Sequence, residues 1–146
     1  MTKISKIGFG IALVSMCGWF SFALMGRAQS ATPASTSTAQ AAMRTMDTDA
    51  DGTIDSKEAK KEAMRRFANL DTDHDGTLDP KEAASAGITA SEFSKFDFDK
   101  DGTLDKAEYW ALARARFKAA DGDHDGTVST QELATSKGSA LLAVLQ

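Results

Sequence analysis

The chain has 146 residues, enough for one small domain. Its 21 Asp and Glu outnumber its 17 Lys and Arg, a balance that disfavours nucleic acid, whose phosphates need a basic face. The single cysteine, Cys17, rules out a disulfide framework within the chain and a zinc cage of cysteine and histidine.

The first 30 residues read as an export signal. Lys3 and Lys6 supply a positive start, and residues 7–25 form an uncharged, mostly apolar run. Ala28, Gln29 and Ser30 offer small residues for cleavage after Ser30. The rival reading is an uncleaved anchor, since a span needs about 20 apolar residues. Gly8, Gly10, Ser15, Gly18 and Ser21 interrupt this run and favour cleavage. Cys17 lacks a lipoprotein box, because Met16 is too large for it, and reads as an apolar member of the segment. Either reading places the remainder outside the cytoplasm, in the periplasm or secreted, and cleavage leaves it without a membrane attachment. Residues 31–40 are rich in Ser, Thr, Ala and Gln and read as a flexible leader. The folded domain is expected over residues 41–146.

Four segments of that domain share the pattern D-x-D-x-D-G-T-[ILV]-[DS]-x-x-E, at residues 47–58, 71–82, 97–108 and 121–132. This is the EF-hand loop, which wraps oxygen ligands around a hard cation. Loop one offers Asp47, Asp49, Asp51, Thr53, Asp55 and Glu58; loop two offers Asp71, Asp73, Asp75, Thr77, Asp79 and Glu82. Loop three offers Asp97, Asp99, Asp101, Thr103, Asp105 and Glu108; loop four offers Asp121, Asp123, Asp125, Thr127, Ser129 and Glu132. Aspartates at positions 1, 3 and 5 turn carboxylates to one centre, and glycine at position 6 permits the sharp turn. Position 7 gives a backbone carbonyl, and the glutamate at position 12 can bind through both oxygens.

A solvated acidic turn is the plain alternative, and the distribution of charge argues against it. Nineteen of the 21 acids stand at these loop positions, leaving only Glu62 and Glu92 elsewhere. Such crowding is repulsive without a cation, so folding is expected to couple to metal binding. Asp55, Asp79, Asp105 and Ser129 also stand three residues before the loop glutamate, where they can cap the next helix. Ligation and capping compete for the same oxygens. His74 and His124 fall at position 4, where side chains point away from the ion.

The first aspartates are 24, 26 and 24 residues apart. Only 12 residues separate Glu58 from Asp71, and again Glu108 from Asp121, too few for two helices and a linker. One continuous helix must serve loops one and two, and another loops three and four. The first, Ser56–Leu70, carries Ala59, Ala63, Met64, Phe67 and Leu70 on one face; the second, Lys106–Ala120, carries Tyr109, Leu112, Ala113 and Phe117. Between loops two and three, Ala86 and Gly87 break the chain, and Thr89 to Glu92 forms a capping box opening a new helix. Loops two and three should therefore lie side by side, with loops one and four meeting at the other end. Leu141, Leu142, Val144 and Leu145 read as core. The fold expected is all-α, a compact helical bundle with a pair of loops at each pole.

The folded part resembles the lanmodulin family, small exported EF-hand proteins of methylotrophic bacteria that bind trivalent lanthanides. The likeness rests on the four loops, the short gaps and aspartate at position 9. It extends to Asp101, Gly102, Thr103, Leu104, Asp105 and Lys106 with Glu108 and Tyr109, to Phe117, Lys118, Ala119 and Ala120, and to Gly138, Ser139, Ala140 and Leu141. It implies a periplasmic lanthanide(III) binder with no catalytic role. Lanmodulin loops carry proline at position 2, whereas here Thr48, Thr72, Phe98 and Gly122 stand there. A Ca²⁺ buffer or sensor is the other reading. A Met-rich target groove is not provided for, since beyond the signal only Met43, Met46 and Met64 remain. A docking module of the dockerin kind fits poorly, because those resemble two-loop units. No nucleophile–base set or phosphate loop suggests an enzyme, and the sequence names no protein partner.

Overall fold

The structure is a computed structural model and describes residues 33–146. The segment read from sequence as an export signal, with Cys17, lies outside the described residues. Seven helices and one two-stranded ribbon make up the regular structure among those residues. They are α1 (Pro33–Met46), β1 (Thr53–Ile54), α2 (Ser56–Leu70), α3 (Pro80–Ser85), α4 (Ala90–Phe96), α5 (Lys106–Ala120), β2 (Val128–Ser129), α6 (Thr130–Leu133) and α7 (Ser136–Leu145). The all-α class expected from sequence is what is found. No helix among the described residues is long and apolar enough to cross a membrane.

Helices α2 and α5 are the shared helices that the short gaps demand. Each has 15 residues, about 22 Å at 1.5 Å per residue. Neither contains glycine or proline, and each starts at a capping box made by Asp55 or Asp105. The two helices pack together, with the Phe67 ring edge-on to Tyr109 at 5.5 Å between centroids. Helix α7 closes over α5 and α2 and buries Leu141, Leu142, Val144 and Leu145. Burying each such side chain stabilises the fold by about 1.5–3 kcal/mol before ordering entropy is counted. The Tyr109 hydroxyl donates to the Val144 carbonyl at 2.8 Å, tying α5 to α7. Burial in this position pushes its pKa up, against the pull of Arg66 and Arg116.

The loops pair as the connections predict. Loops two and three meet through a bridge at Leu78 and Leu104, whose amides and carbonyls exchange two hydrogen bonds of 2.9 Å. Loops one and four meet through antiparallel β1 and β2, with Thr53 opposite Ser129 and Ile54 opposite Val128. These position-8 side chains, Ile54, Leu78, Leu104 and Val128, are fully buried. Each pair of loops thus lies at one end of α2 and α5. Between the pairs, Gly87 turns the chain at φ 65°, and Thr89 caps α4 with Glu92 returning the bond.

One boundary differs from the sequence reading. Helix α1 begins at Pro33 and runs through residues taken from composition as leader, and Ala39 is fully buried. Ala39, Ala42, Met43 and Met46 share one helical face and are all buried. Two alanines, two flexible methionines and no branched aliphatic give that face a weak sequence signal. Lys57, Lys60, Lys61 and Lys118 beside the loops are exposed, and Lys60 lies over the half-buried Trp110 ring at 5.9 Å.

Candidate metal centres

Each loop folds around its own first aspartate. The Gly76 amide donates to Asp71 Oδ2, Gly102 to Asp97 and Gly126 to Asp121, all at 3.2 Å, and Gly52 to Asp47 at 2.9 Å. These position-6 glycines hold φ between 87° and 92°, a region that side chains rarely enter. Position 4 is left-handed too, although it carries Ala50, His74, Lys100 and His124 at φ of 60–63°. His74 and His124 are exposed there and stand outside the carboxylate groupings, as position 4 implies.

In all four loops the carboxylates of positions 1, 3 and 12 converge. Asp47, Asp49 and Glu58 bring oxygens within 4.8 Å of one another, as do Asp71, Asp73 and Glu82. Asp97, Asp99 and Glu108 repeat the arrangement, and so do Asp121, Asp123 and Glu132. The position-1 oxygens test whether a cation fits. Oδ1 of Asp71, Asp97 and Asp121 is buried and has no hydrogen-bond partner. A buried, unpaired carboxylate oxygen among other carboxylates is costly, and an oxygen-seeking cation satisfies it. In loop one the Asp51 amide reaches Asp47 Oδ1 at 3.2 Å instead.

The remaining ligand candidates are held by the loop itself. Position 9 serves the next helix in every loop. Asp55, Asp79 and Asp105 accept from two amides each through Oδ1, and Ser129 accepts from the Glu132 amide. Such caps contribute about 1 kcal/mol each. Position 5 lies outside the groupings within 4.8 Å; Asp51, Asp75, Asp101 and Asp125 each accept from the threonine two residues on. The position-12 glutamates are fixed at both oxygens. One accepts from the position-9 amide, and the other from the amide of Thr48, Thr72, Phe98 or Gly122 at position 2. Thr48 and Thr72 add their hydroxyls to the same oxygen. The position-2 donors escaped the sequence reading, because they act through a backbone group that any residue but proline carries.

Acidity follows these contacts. Bonds from the Thr72 hydroxyl and amide hold Glu82 below the ordinary glutamate range. The Thr103 hydroxyl and amide lower Asp101, and the Thr127 amide and hydroxyl lower Asp125. For Glu132 desolvation pushes upward, but the amides of Ser129 and Gly122 outweigh it and the net direction is down. Asp49 goes the other way. The Asp51 amide pulls it down, yet desolvation and the charges of Asp51, Glu58 and Asp47 raise it overall. That repulsion is the like-charge crowding that a cation removes.

The EF hand family model matches residues 39–61, 64–82, 89–113 and 113–135, one segment for each loop, and together they cover more than half of the chain. No curated protein matches the chain by sequence. With four loops of the right ligand order, three of them holding an orphaned buried oxygen, and a family match over each, the chain belongs to the EF-hand family.

Proposed function

We propose that this EF-hand protein is a non-catalytic ion carrier of the periplasm whose loops favour trivalent lanthanides over calcium. The observation that carries this reading is the concentration of negative charge. Loops one to three each place five carboxylates at ligand positions, and loop four places four. Five carboxylates over-neutralise a divalent ion and suit a trivalent one better. The lanmodulin resemblance points the same way, and the N-terminal signal supports export. Uptake, storage or delivery of the ion are the roles such a carrier serves.

A calcium buffer is the second reading, and position 2 favours it. With no proline there, the amides of Thr48, Thr72, Phe98 and Gly122 bond the loop glutamates, an arrangement that proline loops lack. Parallel titration of chelator-stripped protein with Ca²⁺ and La³⁺, followed by circular dichroism, separates the two. The proposal expects helix formation at far lower free La³⁺ than Ca²⁺. Equal midpoints would leave the calcium reading standing in its place.

A further inference from the structure

Every loop carries threonine at position 7, although an EF-hand asks only a backbone carbonyl of that position. The side chain is engaged in all four. Thr53 Oγ1 donates to Asp51 Oδ1 at 2.8 Å, and Thr77 to Asp75 at 2.8 Å. Thr103 donates to Asp101 at 2.7 Å and Thr127 to Asp125 at 2.8 Å. The amide of the same threonine reaches the same oxygen at 2.8 Å each time. A carboxylate held twice through one oxygen cannot swing without losing both bonds. Threonine suits the task, since its branched Cβ restricts χ1 and presets the hydroxyl.

We propose that the position-7 hydroxyl is a positioning group that commits one oxygen of the position-5 aspartate to the loop and leaves only the other for the cation. The aspartate then serves as a single-oxygen ligand, fixed before the ion arrives, and less ordering is left to oppose binding. The other side-chain clasp in the loops is not general. Thr48 and Thr72 hold their glutamates by hydroxyl, but Phe98 and Gly122 have none to offer. The position-7 hydroxyl is therefore the side-chain donor common to the four sites. This inference rests on the loops being metal sites, whichever hard cation they prefer.

Loop three is the place to test it, because Tyr109 and Trp110 follow its Glu108 and can sensitise terbium emission. Tb³⁺ is titrated against a competing chelator into the full chain, into T103V, which keeps the side chain's shape, and into T103S, which keeps the hydroxyl. The loop-three affinity of T103V is expected to fall about three- to tenfold, as for loss of one typical intramolecular hydrogen bond, with T103S close to wild type. T127V and T127S in loop four, followed by calorimetry, give the same comparison should T103V lose helicity. Wild-type affinity in T103V overturns the threonine role, as does a T103S loss as large as that of T103V. Failure of the unmodified chain to take up Tb³⁺ overturns the metal reading beneath it instead.

Discussion

Gly138 is a residue whose missing side chain the packing uses directly. A Cβ there would stand 2.2 Å from the Glu132 carbonyl oxygen and 2.4 Å from Leu133 Cα, both backbone atoms of α6. Gly138→Ala must push α7 away from α6, and overpacking of this kind costs about 1–3 kcal/mol. Urea unfolding of the calcium-loaded chain should show a lower midpoint; an unchanged midpoint contradicts the close approach. At this scale the carboxylates of positions 1, 3 and 12 were legible in the sequence, because the spacing of an EF-hand loop fixes where they point. Position 9 was not, since the same aspartate can ligate or cap. In this structure Asp55, Asp79 and Asp105 cap. The position-7 hydroxyls were equally hidden, because the motif asks only for the carbonyl there.

At the scale of elements, Arg116 shows what a sequence does not announce. Its guanidinium on α5 donates to Glu92 on α4, to the Gly87 carbonyl and to the Ala140 carbonyl on α7. These partners lie 24 to 29 residues away, so no local pattern reveals them. Glu92 is desolvated, which raises its pKa, but the Thr89 amide and the charge of Arg116 prevail and lower it. A carboxyl held lower in the folded than in the unfolded chain contributes stability above its unfolded value. That contribution fades as the pH falls from the ordinary glutamate value of 4.5 through the lower folded one. Glu92→Gln should therefore lose stability at neutral pH and lose less than wild type on acidification below 4.5. Thermal unfolding in metal-saturated buffer across that window checks it, and parallel pH curves would contradict it. The pair is partly exposed, with 35% of the Glu92 side chain accessible, so the effect should be modest and weaken with salt. Helices α2 and α5, by contrast, were legible to the residue, since a 12-residue gap admits only one helix. The onset of α1 was not, because Ala39 and the Ser/Thr-rich residues before it carry little apolar periodicity.

At the scale of the whole molecule, the four loops form a closed ring. Loop one joins loop two through α2, two joins three through Leu78 and Leu104, three joins four through α5, and four returns to one through β1 and β2. Disabling loop one with Glu58→Gln should therefore weaken loops two and four, its neighbours, more than loop three. The amide signals of Gly52, Gly76, Gly102 and Gly126, one per loop, can follow each site separately in a metal titration by NMR. Equal weakening of the other three would contradict the ring. The ring was legible in outline, because the break at Gly87 and the capping box after it let loops two and three lie side by side.

The account depends on cations holding like charges together at both poles, and the chelator-stripped protein tests that most directly. Circular dichroism and small-angle X-ray scattering before and after ion addition, with calorimetry to count ions, are the measurement. The account predicts loss of helix and expansion on chelation, reversed as the loops fill. A stripped chain that stays equally helical and compact, and takes up no ion in the calorimeter, would contradict it.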